Sequence, residues 1–418
     1  MRVCVYVFAV ALGIQPASAQ TLTVAQAVDE AVQHNLGLLA ERANLPIADA
    51  QMITAKLRPN PVFSFSADHL DLLGTGFNAI NNGGPPEIAW RVDLPLERGG
   101  KRDARIGLAA VLKSAAEAQL ADAIRTLRQD VTLACIDVIA AQASRALVAD
   151  NLRTYEDLVR VNRARVTAGS IAPAEATRSE VAMLQFRANV VRADLDLAAA
   201  TARLRVLLGR APGDVVTVSD SLGSPRADTA PAVTRLQELA KQSRPDLQAL
   251  RLAESRTIAD LRLQEALGRI DYTVGAEYRR QQGIAGTGNS LGFFFSTPLP
   301  LSSRNQGEIA RAGAERTQVD RQIAAREAQI ASDVQTALHE YVTTRDLVSS
   351  IEHELLQPAT KARDVSVYTY RAGGGTLLDV LDAQRAFNDT MQGYVDAQAN
   401  VLRAATRLNA AVGTEVLR

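Results

Sequence analysis

Little in this 418-residue chain is suited to redox, nucleophilic or metal chemistry. It holds two cysteines, four methionines, four histidines and one tryptophan. Cys4 lies in the N-terminal apolar run, so Cys135 is left alone; no internal disulfide can form, and a small packed apolar role fits its alanine-rich surroundings. His34, His69, His339 and His353 are scattered, and "HEYVT" at His339 lacks the second histidine of a zinc-binding HExxH helix. So few thiols and thioethers give no soft-metal relay. No serine sits at a recognisable nucleophile elbow, since the one GxSxG string, Gly288 to Gly292, lies within a strand window rather than at a strand-to-helix turn, and no glycine-rich phosphate loop in βα alternation occurs. No enzymatic activity, resident metal or cofactor is expected. An excess of charge of one sign is missing too: 46 acids balance 46 bases, which argues against nucleic acid as a partner. Beyond the N-terminal run no unbroken stretch of 18 apolar residues occurs, so no membrane-spanning helix is expected.

What is present starts with an export signal. Arg2 precedes the apolar run Val3 to Ile14, and Ala17-Ser18-Ala19 supplies a small-x-small cleavage pattern. The signal therefore covers 1–19, and the mature chain starts at Gln20. Cys4 has no apolar segment ahead of it, so lipidation there would require a different start codon.

The mature chain repeats itself. Gly169 aligns with Gly373, Glu175 with Asp379, Leu204 with Leu408 and Gly209 with Gly413, each at an offset of 204. Leu38 aligns with Leu247 at 209, and Leu96 with Leu301 at 205, so the length difference falls between those two pairs. The reading is a first repeat over 20–209, a linker over 210–232 and a second repeat over 233–418.

The variable interval, Val62 to Leu94 and Asp271 to Leu299, differs in composition from its surroundings. Nine of the chain's 18 aromatics lie in these 62 residues, which marks them as the place where aromatic contact is needed. Ile88, Trp90, Val92 and Leu94 alternate with Ala89, Arg91 and Asp93, and Tyr272, Val274, Ala276 and Tyr278 repeat the strand period. Each window is thus two strands around a polar loop. Four strands with one apolar face cannot close a membrane barrel, which needs at least eight. Either several subunits pool their strands, or the strand pairs pack on a soluble core.

The remainder reads as long helix. Lys101 to Ala168 contains no proline and only Gly107, about 100 Å of helix at 1.5 Å per residue. Leu120, Ile124, Leu127, Val131, Ala134, Val138 and Ala141 keep the alternating four-three spacing of a coiled-coil seam. The second copy, Gln306 to Arg371, carries Val319, Ile323, Ile330, Val334 and Ala337, with Pro358 predicting a kink or junction. Returning helices are expected from Pro173 to Leu208 and from Leu377 to Val412, with a short strand at Val215 to Val218 in the linker.

The order of "RPNP", "LPLERGGKR", "RPDL", "PLPLSSRNQGEIARA" and "YRAGGGTLLDVLDAQ" around these elements resembles the TolC family of outer-membrane efflux channels over the whole mature chain. "LERGGKRDARI" and "PLPLSSRNQGEIARA" look most like the outer-membrane components of heavy-metal, cobalt-zinc-cadmium type, tripartite pumps. The resemblance implies a mainly α fold with a β membrane part: a homotrimer whose four strands per protomer close a 12-stranded β-barrel in outer-membrane lipid, continued by a periplasmic α-helical barrel. It implies a periplasmic adaptor and an inner-membrane pump of the resistance-nodulation-division type as partners. The tips Gly169, Ser170, Gly373, Gly374, Gly375 and Thr376 would contact the adaptor. Asp379 and Asp382 match acidic gate positions, Tyr370 a tyrosine of the gate network and Glu175 an acidic partner from the first repeat. Gly375 departs from the pattern, which has an arginine there, so a gate ion pair through that arginine does not exist in this chain.

Two readings of the acids stand side by side. A three-fold ring of aspartates in a narrow mouth would attract cations. Thr376 to Asp379 equally fits a helix capping box, and Pro173 with Glu175 fits a helix start. Asp382, a turn further in, is less well explained by capping. Function is open in the same way. A passive efflux conduit for heavy-metal cations stands against a drug-efflux or type I secretion conduit of the same family. A third reading, from another class, is a periplasmic coiled-coil protein whose strands never enter a membrane.

Overall fold

The computed structural model describes residues 21–70, 72–74, 86–223, 232–283 and 286–417. The export signal at 1–19, most of the first strand-pair loop and part of the 210–232 linker lie outside the described residues. Two compact units emerge, each drawing on both repeats: one of Met1–Ala40, Asp122–Arg244 and Gln329–Arg418, the other of Glu41–Ala121 and Pro245–Ala328. The repeats are therefore units of sequence, and the compact units cut across them.

The strand-bearing unit contains β2 (Val62–Asp68), β3 (Glu87–Leu96), β5 (Tyr272–Gly283) and β6 (Gly286–Ser296), hydrogen-bonded in that order and antiparallel throughout. Directly opposed residues share a face, so the register sorts the side chains. Phe63, Phe65, Trp90, Val92, Leu94, Val274, Tyr278, Leu291, Phe293 and Phe295 share one face, and all are solvent-exposed. Its aromatics form two rows. Trp90 stacks on Tyr278 at 5.6 Å and meets Phe65 at 5.9 Å, while Tyr272 meets Phe295 at 5.2 Å. Tyr272 and Tyr278 are about 20 Å apart along β5 at the usual rise per residue. The β2 and β6 edges are both unpaired among the described residues.

The turn "LERGGKR" is held by charge. Glu97 pairs with Arg105, Lys101 Nζ lies 2.6 Å from Asp271 Oδ2, and Asp271 Oδ1 accepts the Arg98 backbone N–H at 2.9 Å. These contacts fix where β3 hands over to helix and where β5 begins. The same unit holds α3 (Asn44–Lys56) and α7 (Pro245–Leu267).

The helical unit begins with β1 (Thr21–Leu22), which pairs in parallel with β4 (Thr217–Val218), shorter than the strand expected from Val215. Thr23 then caps α1 (Val24–His34): its Oγ1 accepts the Gln26 N–H at 3.2 Å and Gln26 Oε1 accepts the Thr23 N–H at 2.9 Å. After α2 (Leu36–Arg42), the unit's main helices are the part of α4 (Lys101–Thr167) from Asp122 onward and α5 (Pro173–Leu207), followed by α6 (Val233–Ser243) and the second-repeat pair from Gln329 onward. Leu127, Val131, Ala134 and Val138 of the α4 seam are buried, as are Leu204 of α5, Leu236 of α6 and Val401 and Leu408 of the last helix.

The second long helix is interrupted, as Pro358 predicts, with the break lying just upstream of the proline. It runs as α8 (Gln306–Ser350), a π turn at Ile351–Leu355 and α9 (Leu356–Arg371), and the chain returns as α10 (Leu377–Val412). Pro358 has no N–H and its ring would crowd the carbonyl four residues back, and the helix widens just before it. At the widened turn the Leu356 N–H reaches the Ile351 carbonyl. The absence of a helix apolar enough to cross a membrane also needs correcting. One 18-residue window of α4 has a mean hydropathy of 1.5 with at most two charged residues. An unbroken apolar run and a high average are different tests, and α4 passes the second only.

Candidate gate at the hairpin tips

Both hairpins turn by the same backbone device. Gly169 adopts φ +70° and Gly373 φ +83°, a region open to glycine at no steric cost. The Ser170 N–H bonds the Arg165 carbonyl and the Gly169 N–H that of Val166; Gly374 bonds Thr369 and Gly373 bonds Tyr370 in the same way. These are matching Schellman closures, and they place the tip residues Gly169, Ser170, Gly373 and Gly374 on the surface. Gly375 is different. Its φ is not positive, and a Cβ there would meet Tyr370 N at 3.4 Å, an ordinary contact, so local geometry does not demand glycine.

The helices that leave the tips are started differently. Pro173 occupies the first turn of α5 with no side-chain cap on Ala172, and Glu175 sits half-buried in that turn. Thr376 caps α10 through a full box: the Asp379 N–H donates to Thr376 Oγ1 at 3.2 Å, and the Thr376 N–H to Asp379 Oδ2 at 3.0 Å. The Thr376 hydroxyl also donates to Asp379 Oδ2 at 2.7 Å. These bonds hold the Asp379 carboxyl below the usual carboxylate range. Asp379 is therefore a cap residue in this structure. Asp382 is exposed and makes no hydrogen bond or ion pair among the described residues.

Tyr370 lies inside the tip. It is 4% exposed, packed with Leu377 and Val380 against Leu158 and Val367, and its hydroxyl donates to Asn162 Oδ1 at 2.7 Å. Burial pushes its phenol up, with the negative charge of Glu175 acting in the same direction. Tyr370 and Glu175, from different repeats, are thus in one electrostatic neighbourhood.

Two residues that sequence reasoning missed complete the tip. Arg165 donates to the Tyr370 carbonyl at 3.2 Å and the Arg371 carbonyl at 2.8 Å, with its guanidinium 5.1 Å from the Tyr370 ring. It covers the carbonyl end of α9 with a cation from the other hairpin, where the helix dipole is negative. Asn162 is fully buried and leaves its Nδ2 without a partner among the described residues. An arginine four residues before a tip glycine is a visible signal, but its partners two hundred residues away are not. Among the described residues no three His, Cys, Asp or Glu side chains gather as a metal site.

The sequence pattern of the outer membrane efflux protein family matches residues 27–210 and 236–414. The chain belongs to that family. It is 24% identical over 396 residues to the cobalt-zinc-cadmium resistance protein CzcC of Cupriavidus metallidurans, covering 95% of this chain and 91% of that protein. With the nickel-cobalt-cadmium resistance protein NccC of Alcaligenes xylosoxydans it shares 27% over 288 residues, 66% of this chain and 60% of that one. Its fold superposes on the CusC channel with a TM-score of 0.76 at 17% identity over 96% of both chains. Against the outer membrane protein VceC of Vibrio cholerae the TM-score is 0.74 at 18% identity, over 94% and 96%. As a member of this family with the fold of the TolC-type channels, the protein is an outer-membrane channel protein extending into the periplasm, and family and fold are those of channels rather than enzymes. Membership decides between the conduit and the periplasmic coiled-coil protein in favour of the conduit. The exposed apolar face of the sheet, edged by aromatic rows, is the form a lipid-facing band takes.

Proposed function

We propose that the protein is the outer-membrane conduit of a tripartite pump that exports heavy-metal cations, with a gate at its hairpin tips. Three copies would pool their four strands into a 12-stranded barrel, because the sheet has two free edges among the described residues and four strands cannot close alone. A periplasmic adaptor would meet Gly169, Ser170, Gly373, Gly374, Gly375 and Thr376, and an inner-membrane pump of the resistance-nodulation-division type would supply the energy.

The observation that carries the gate reading is the unpartnered, exposed carboxylate of Asp382, one turn beyond a capped Asp379. Capping accounts for Asp379 by itself. Nothing local accounts for Asp382, and a ring of three such charges at a narrow mouth would favour cations. Tyr370, Asn162, Glu175 and Arg165 would hold the two tips together in the closed state.

Metal as cargo is supported by the cobalt-zinc-cadmium and nickel-cobalt-cadmium resistance proteins among the relatives. Deleting the gene in its host should lower tolerance to cobalt, zinc or cadmium, and wild-type protein should restore it. Unchanged metal tolerance with lost tolerance to organic drugs would replace the metal reading with drug efflux.

A further inference from the structure

The polar face of the sheet carries a charge arrangement that the gate does not use. Ser64, Ser66 and Asp68 of β2 share this face with Glu87, Arg91 and Asp93 of β3, and these with Glu277 and Arg279 of β5 and Phe294 of β6. The two arginines are immobilised. Arg91 bonds Asp93 Oδ1 at 2.9 Å through Nε and at 2.8 Å through Nη2, with its guanidinium 4.0 Å over the Phe294 ring. Arg279 bonds Glu277 at 2.9 Å and Glu87 at 2.6 Å. The backbone makes room for this ladder. Gly275 sits where a Cβ would run into the Asp93 carboxylate, and at Gly292 a Cβ would crowd the Phe294 ring at 3.2 Å.

On the described strand residues of this face, four carboxylates (Asp68, Glu87, Asp93 and Glu277) stand against two guanidinium groups. Both cations are pinned to the wall by acids, and Asp68 is exposed with no ion pair among the described residues. With the apolar face in lipid, the polar face lines the lumen. We infer that this ladder is a second determinant of ion preference: the pinned Arg91 and Arg279 with their surplus of carboxylates make the outer-membrane segment itself favour cations, independently of the tips.

The inference rests on the reading of the sheet as one third of a 12-stranded barrel, and that geometry sets how the ladder behaves in salt. Twelve strands about 4.8 Å apart, tilted by about 40°, give a backbone radius of about 12 Å. The screening length is about 30 Å at 0.01 M salt and about 3 Å at 1 M. Wall charges therefore act across the lumen in dilute salt and lose their hold at high salt. A ring at a narrow mouth keeps its influence at both.

The test is the reversal potential of single channels in a KCl gradient, measured near 10 mM and near 1 M. The variants are Asp68→Asn and the pair Asp93→Asn, Glu277→Gln, beside the tip pair Asp379→Asn, Asp382→Asn. Both sheet variants should lose part of the wild-type cation preference at low salt, the pair more than Asp68→Asn, with the 1 M value unchanged. Wild-type reversal potentials at low salt would overturn the inference. A loss of the same size at 1 M would also overturn it, because wall charges are screened there. Asp68→Asn breaks no ion pair or side-chain hydrogen bond among the described residues, so it decides the matter even if the double variant fails to assemble. Failure of the tip gate is read separately, as unchanged conductance in the tip pair while the sheet variants still shift.

Discussion

In the first repeat α4 runs unbroken from Lys101 to Thr167, whereas its counterpart is split by a π turn into α8 and α9. The first tip starts its return helix with a proline and no side-chain cap; the second uses a complete box of Thr376 and Asp379. The unpartnered Asp382 belongs to the second hairpin, and the arginine that clasps the two belongs to the first. The two copies keep the same glycine closures but differ in how the return helix is started and in which side chains the tip presents.

Removing the clasp between them should have the largest effect. Hydrogen bonds to a charged group are worth about 1.5–3 kcal/mol each, and Arg165 is half-exposed, so about 1.4 kcal/mol in all is the expected loss after solvent screening. Arg165→Ala should shift the tip roughly tenfold toward open, visible as longer open dwell times in single-channel records. Unchanged dwell times would show that the hairpins are held together elsewhere.

The cap offers a smaller and more local test. Thr376→Ala should destabilise the start of α10 by about 1 kcal/mol, measured as faster amide exchange over Leu377 to Leu381. Its pH dependence has a definite sign. The Asp379 carboxyl is held low by Thr376, so cap stabilisation is complete above the unfolded carboxylate range and fades as pH falls through the depressed folded value. Exchange at the α10 start should therefore stay slow in mild acid in wild type. In Thr376→Ala the protection that remains should begin to fall at higher pH.

The smallest change is expected from the kink. Pro358→Ala restores an N–H and removes the ring clash, so α8 and α9 should be able to run on as one α-helix with little change in stability. A structure of the variant that keeps the π turn would assign the bulge to packing around it. There Tyr394 OH donates to Glu352 at 2.6 Å and accepts from Gln398 at 2.8 Å.

Much of this architecture was legible in the sequence because its signals are local. The two-residue period around Trp90 and Tyr278, the long proline-free helices, the tip glycines and the Thr376 to Asp379 spacing each act within one turn or one strand. Capping of Asp379 and gating were both open from the sequence; the observed box accounts for the first role and does not bear on the second. What was not legible depends on distance along the chain. The Tyr370 to Asn162 bond spans 208 residues, and the pairing of β3 with β5 joins residues almost as far apart. The parallel β1–β4 contact and the pinning of Arg91 and Arg279 arise only once register is set. Pro358 announced a disruption, but its form, a widened turn upstream at Ile351–Leu355, was not legible from the proline's position alone.

The central claim is that Asp382, and not the capped Asp379, is the gate charge. It is tested most directly by single-channel conductance and ion selectivity of the purified protein in planar lipid bilayers, with Asp382→Asn and Asp379→Asn compared one at a time with wild type. The account predicts higher conductance and weaker cation preference in Asp382→Asn, with a smaller change in Asp379→Asn. A channel in which Asp382→Asn is indistinguishable from wild type would contradict it.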